Sequence, residues 1–306
     1  MTKPYEIPSW ETGMKQISPN VYAYIQSRGS WFWNNAGLVI GRDYCIAVDS
    51  LATVGLTQTF IDEIKKVSDK PIRYLVNTHH HGDHIWANHL FSGAEIVCHT
   101  RCREETLRTP APEPGALSAM FPEFDFNGVK VTPPDITFES KLTFYLGDGE
   151  VQLIYYKPGH TVGDIIVWLP QQGTVFAGDL LFLYSTPLAM QGSFAGWIEI
   201  MEALANLDAR TYVPGHGPLC GKEGLLECRD YLVLVREQAR KRFDSGLSAY
   251  EAAKDINLGR FKKWVNWERI VINVERLYRE FGGEEPTSEI DLPALFGHIN
   301  ELAASG

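Results

Sequence analysis

Apolar positions change period several times along the chain, and each change marks an element. Val21-Tyr22-Ala23-Tyr24-Ile25 alternates in steps of two, and the apolar runs at 36–40 and 44–48 predict two further strands. Phe60, Ile61, Ile64 and Val67 then recur at helical spacing with polar residues between them, which predicts a helix over 56–67. Residues 72–76 read as a buried strand, 85–90 as a short helix, and 101–108 as a polar helix that the prolines at 110, 112 and 114 stop. From there to 126 the pattern is irregular yet carries Leu117, Met120, Phe121, Phe124 and Phe126, which predicts a loop acting as a lid or pocket wall. A hairpin at 142–146 and 151–156 turns on Gly147-Asp148-Gly149. Strands follow at 165–169 and 175–176, the second ending at Asp179, then a helix at 197–207 and a strand at 211–213. Beyond 217 strand signals stop, and helical spacing runs through 225–240, 249–258 and 267–281. The division this predicts is a mixed α/β unit over 1–221 and a helical extension over 222–306, suited to capping a pocket, forming a homodimer interface or stabilising the whole.

The chemistry collects where predicted strands end. Residues 72–76 lead directly into Thr78-His79-His80-His81-Gly82-Asp83-His84, where His79, His81, Asp83 and His84 are all able to bind a metal within six positions. Side chains two apart in an extended segment point the same way, so His79 and His81 can hold one ion together. After Gly82, where the chain is free to turn, Asp83 and His84 can face a second. Pro158-Gly159-His160-Thr161, Phe176-Ala177-Gly178-Asp179 and Val213-Pro214-Gly215-His216-Gly217 each put one more ligand type beside a glycine after an apolar run. His89 and His99 lie outside these motifs and read as packing residues.

These residues resemble the metallo-β-lactamase-fold hydrolases over residues 21 to 217, roughly two thirds of the chain. The superfamily pattern His-x-His-x-Asp-His is met by His79, His81, Asp83 and His84, and its later His, Asp and His by His160, Asp179 and His216. The resemblance implies a four-layer αββα sandwich followed here by the helical extension. It also implies that His79, His81 and His160 hold one metal, that Asp83, His84 and His216 hold a second, and that Asp179 bridges them. Asp49, ending an early strand, would orient a ligand imidazole without touching metal. Two divalent ions are thus expected, zinc first, with iron and manganese also suited to mixed imidazole and carboxylate ligation. In the mechanism so implied, metal-bound hydroxide attacks a carbonyl and Asp83 shuttles its proton.

Among branches, an aspartate at 179 is similar to the thioesterase, glyoxalase II, lactonase and phosphodiesterase members rather than to true β-lactamases. A lactonase would carry tyrosine three residues after it, where this chain has Phe182. A looser likeness, in the 30–37 and 187–193 stretches and the helical tail, is to the thioesterase and cyclase proteins of aromatic polyketide pathways. It implies a small-molecule or carrier-bound acyl substrate, and Trp31, Trp33, Phe121, Phe182 and Tyr184 would suit a flat apolar acyl group. The other readings are a persulfide-dioxygenase-like enzyme with one iron, a β-lactam hydrolase, and a catalytically idle binding protein on the same fold.

Composition narrows the partners. Of 306 residues, 28 are Lys or Arg and 38 Asp or Glu, a net charge of −10, which argues against a nucleic-acid backbone as main partner. Five cysteines fall at no zinc-knuckle spacing, and most of them read as buried hydrophobes in a reducing compartment. The start at 1–6 has no apolar signal core and no long apolar run follows, so the expectation is a cytoplasmic protein without membrane partners.

Overall fold

Alternation along single strands decides the layering. On β4 (Cys45–Val48), Ile46 and Val48 face one way into a cluster with Leu153, Val167 and Phe176, while Cys45 and Ala47 face the other way, towards Phe60 and Ile64. On β10 (Ile165–Leu169), Val167 and Leu169 join the first cluster, and Ile166 and Trp168 face an outer cluster with Trp197, Leu225 and Tyr231. Two sheets therefore pack face to face with helices outside each, the αββα sandwich with C-terminal helices that the sequence implied. The computed structural model describes residues 5–147, 149–288 and 290–305. Asp148, in the predicted hairpin turn, and residues 1–4 of the predicted start lie outside the described residues.

Among the described residues the first sheet runs in sequence order: β1 (Gly13–Ser18), β2 (Val21–Ile25), β3 (Ala36–Ile40), β4, β5 (Ile72–Val76), β6 (Glu95–His99) and β7 (Ile136–Phe138). It is antiparallel up to β4 and parallel from β4 to β7. The second sheet is ordered β12 (Thr211–His216), β11 (Thr174–Phe182), β10, β9 (Glu150–Tyr155) and β8 (Lys141–Tyr145), with β11 and β12 parallel. Helix α1 (Val54–Val67) covers the first sheet; Thr53 caps it by accepting from the Leu56 amide, and Phe60 and Ile64 are its buried stripe. Helix α5 (Phe194–Ala205) covers the second sheet beside α6 (Lys222–Asp244), α7 (Ala249–Asp255) and α8 (Ile270–Phe281). The helices after residue 222 share one apolar cluster with α5 and the outer face of that sheet.

Several sequence expectations are corrected. The short helix predicted at 85–90 begins earlier: α2 spans Gly82–Ile85, and a 3-10 turn covers Asn88–Leu90. Gly82 therefore opens a helix instead of a free turn, and it is needed because a Cβ there would strike the Trp86 ring at 1.9 Å. The irregular stretch after residue 109 holds a helix, α4 (Pro114–Met120), after α3 (Thr100–Arg108). Strand β11 does not stop at Asp179 but continues to Phe182. Strands β1, β6 and β7 and the helix α9 (Leu292–Ser305) carry no prediction.

Candidate metal centre

The loops and strand ends at one edge of the two sheets bring all seven predicted ligands together. His79 and His81 follow β5, Asp83 and His84 lie in α2, His160 sits between β9 and β10, Asp179 is within β11, and His216 ends β12. Ligand atoms of His79, His81, His160 and Asp179 lie within 4.8 Å of one another, and so do those of Asp83, His84 and His216. Asp179 stands between the two sets. Its Oδ2 is 3.8 Å from His79 Nε2, 3.4 Å from His160 Nε2 and 3.5 Å from His216 Nε2, while its Oδ1 is 3.1 Å from His84 Nε2. This approach needs Gly215, since a Cβ there would stand 1.8 Å from Asp179 Oδ1.

Whether these residues suit metal ions can be judged from their unused atoms. His79 Nε2 is buried without a hydrogen-bond partner, and His84 Nε2 and Asp179 Oδ1, 3.1 Å apart, have nothing but each other, which a protein rarely tolerates unless something else occupies those lone pairs. The other side of each ring shows why the lone pairs are there. Asp49, in the left-handed conformation at φ 60°, accepts the Thr78 amide at 2.7 Å, the Thr78 hydroxyl at 2.7 Å and His84 Nδ1 at 2.8 Å. Its carboxylate thus keeps a His84 proton on Nδ1 and leaves Nε2 as the nitrogen turned to Asp179 and the rest of the cluster. With its own hydrogen given to Asp49, the Thr78 hydroxyl can only accept from His79 Nδ1, 3.1 Å away, which leaves His79 Nε2 bare.

Charge agrees with this. Burial would raise the carboxyls of Asp83 and Asp179, yet the imidazoles of His84 and His216 hold both below the ordinary range, so both are carboxylates at neutral pH. Burial presses His79 and His81 well below the usual imidazole value and His160 down to about 4, so these three are neutral ligands. Burial opposes a proton on His84 and His216 too, but the surrounding carboxylates, Asp179 foremost, raise both. Two carboxylates, Asp83 and Asp179, three neutral imidazoles, His79, His81 and His160, and the imidazoles of His84 and His216 make a mixed donor set that divalent cations fit.

Beside this cluster opens a cavity of about 720 Å³ with a mainly apolar wall. Trp31, Phe121 and Phe182, all expected at the substrate, line it. Trp33 and Tyr184, also expected there, do not: Trp33 packs on Phe124 at 4.9 Å, and Tyr184 lies between Trp10 and Trp264, 6.4 Å from each. The stretch at 109–126 forms a wall through Thr109, Leu117, Met120 and Phe121, and the one after Asp179 through Leu188 and Met190. Asn273 of α8 fixes that second stretch, donating to the Pro187 carbonyl and accepting the Ala189 amide, each at 2.9 Å. The sequence reading missed Phe32, Trp86, Arg269 and Phe296. Leu292 and Phe296, four apart on α9, were detectable as a helical stripe; Arg269 offered no local signal. His99 is structural as read, accepting from the Arg101 amide and bonding the Glu139 carbonyl.

A family model described as "Metallo-beta-lactamase superfamily" matches residues 30–216. A linear primary-alkylsulfatase of a Pseudomonas species is 24% identical over 254 residues, covering 70% of this chain and 48% of that protein. A hydroxyacylglutathione hydrolase of Methylococcus capsulatus is 26% identical over 140 residues, 46% of each chain, so the chain spans about half the length of these curated relatives. A solved metallo-beta-lactamase family protein of Thermus thermophilus has the same fold, with TM-score 0.65 and 17% identity over 88% of this chain and 95% of that one.

Proposed function

The chain belongs to the metallo-beta-lactamase superfamily, and from that premise we propose that it is a dinuclear metal-dependent hydrolase of ester or thioester bonds in a bulky apolar substrate. The observation that carries this is the placing of Asp83, Asp179 and His216 in the wall of a cavity otherwise lined by aromatic and aliphatic side chains. His79, His81 and His160 would hold one ion and Asp83, His84 and His216 the other, with Asp179 shared. When bound, such ions, zinc by preference, supply Lewis acidity and lower the pKa of water towards neutrality.

The chain's own residues do the rest. Asp83 is the more open of the two cavity carboxylates, with its side chain 13% exposed against 5% for Asp179. Ionised at neutral pH and facing the cavity, it is placed to accept a proton from an attacking water and pass it on. Trp31, Phe121 and Phe182 exclude bulk water and hold an apolar acyl group. None of the five cysteines lines the cavity, and burial raises the thiols of Cys220 and Cys228, the latter to about 12. The relative named hydroxyacylglutathione hydrolase supports the thioester reading. The relative named alkylsulfatase favours a second one, a sulfate ester on an alkyl chain.

The test is metal content of untagged protein together with turnover of aryl and acyl thioesters, carboxylic esters and alkyl sulfates. About two ions per chain and cleavage of a thioester or ester are expected. Asp83→Ala should fold normally and lose nearly all turnover. Full activity in that variant would remove the proposed role of Asp83, and a single iron per chain would replace the hydrolase reading with the dioxygenase one.

A further inference from the structure

One charged group in the cavity wall is not used by the reading above. Arg269 comes from the 3-10 turn Trp267–Arg269 ahead of α8, far outside the residues matched by the superfamily. It is the one Lys or Arg among the described residues that line the cavity, and it is 1% exposed. A guanidinium taken out of water costs several kcal/mol unless it is paired and its N–H groups are bonded. The protein compensates only in part. Nη1 donates to the Thr186 carbonyl at 3.0 Å, and the guanidinium lies 4.2 Å from the centre of the Trp31 ring. Nε has no partner, and among the described residues no carboxylate forms an ion pair with it. Burial draws its pKa down to about 10, against the pull of Glu268, Asp179 and Asp83, so it remains charged at neutral pH. Asp179 and Asp83 are committed to the metal cluster.

We propose that Arg269 is the anion-binding group of this cavity, and that the substrate is an amphiphile whose carboxylate or similar oxyanion pairs with Arg269 while its apolar body fills the space lined by Trp31, Phe121 and Phe296. This deepens the hydrolase reading of the same cavity, since it names the substrate class. A planar guanidinium stacked on an aromatic ring, with an N–H unused, presents a fork to a two-oxygen anion, whereas a neutral ligand would leave the buried charge without a counterion.

The experiment uses metal-loaded protein and a matched pair of probes, 2-naphthoate and 2-naphthamide, which differ only in charge, with binding followed by calorimetry. Wild type should bind naphthoate about tenfold or more tightly than naphthamide, the scale of one charge-assisted hydrogen bond. Arg269→Met should bring that ratio to about one with naphthamide affinity little changed. Arg269→Lys, which keeps the charge but not the fork, should retain an intermediate preference of roughly threefold. A wild-type preference surviving in Arg269→Met would mean that the metals or another group read the carboxylate, and the proposal fails. Equal weakening of both probes in both variants would mean that Arg269 only supports Trp31 and Thr186, and the proposal fails likewise. Wild type that prefers naphthoate yet cleaves nothing in the ester panel leaves the anion site standing and removes the hydrolase reading instead.

Discussion

Asp49→Asn alters one atom and should disable two metal ligands at once. In the native arrangement Asp49 accepts three hydrogen bonds, from the Thr78 amide, the Thr78 hydroxyl and His84 Nδ1. An asparagine that keeps its oxygen on the Thr78 amide turns an NH₂ group towards the other two. Imidazole can meet that NH₂ only by presenting Nδ1 as acceptor, which moves the His84 proton to Nε2, the atom aimed at the metal. The Thr78 hydroxyl, now accepting from the amide, turns its hydrogen to His79 Nδ1 and moves that proton to Nε2 too. Flipping the amide does not help, because it sets NH₂ against the Thr78 backbone N–H. Loss of such an outer hydrogen bond weakens metal binding about 10- to 100-fold, or about 1.4 to 2.8 kcal/mol, per ligand. In the proposed arrangement His79 and His84 serve different ions, so both sites should weaken. Chelator-competition titration should show two lowered affinities, and nitrogen NMR of the metal-free variant should show His79 and His84 with the proton on Nε2. Wild-type affinities with both protons still on Nδ1 would refute the relay.

Further outcomes are expected from the same geometry. Gly215→Ala, whose Cβ would stand 1.8 Å from Asp179 Oδ1, should displace the shared carboxylate and reduce metal content and turnover together; intact metal stoichiometry would show that the strand end can yield. Removing metal with a chelator should lower the melting temperature by roughly 5 to 10 °C at metal concentrations about 100-fold above Kd, read by calorimetry. The pH dependence has a definite sign. His84 and His216 are raised above the ordinary imidazole value, so in metal-free protein they contribute stability that is present below about pH 6.5 and is lost as pH rises through their folded values. Metal requires the same imidazoles unprotonated, so the gap in melting temperature between loaded and metal-free protein should shrink as pH falls from 8 to 6. A gap that is constant over that range would count against these two ligands.

How much of this was legible beforehand varied with the distance over which each feature is decided. The strands at 21–25, 36–40, 72–76 and 165–169 were read to the residue, since each is a run of apolar or alternating side chains whose burial shows in its own few residues. Strand β1 has no fully buried position and β7 only three residues, so neither leaves a pattern to detect. Trp33 and Tyr184 are expected at the substrate from their aromatic type and their closeness in sequence to the early hairpin and to Asp179, but the positive φ of Phe32 and of Tyr184 belongs to turns that neither signal reveals.

The sequence by itself determined the candidate donor set, because His79, His81, Asp83 and His84 are close along the chain and imidazoles and carboxylates are ligand types wherever they sit. It also pointed to the sandwich, through the family resemblance that those residues carry, and strands such as β4 and β10, buried at every position, are the covered-on-both-faces strands such a sandwich needs. Only the tertiary structure decided the tautomers, through Asp49 and Thr78 some thirty residues apart. Likewise it alone set the cavity wall, where Arg269 meets Trp31 across more than two hundred residues. Hydrogen-bond direction and the cost of a buried charge depend on neighbours in space, and those come together only when the sheets, α4, α8 and α9 have packed.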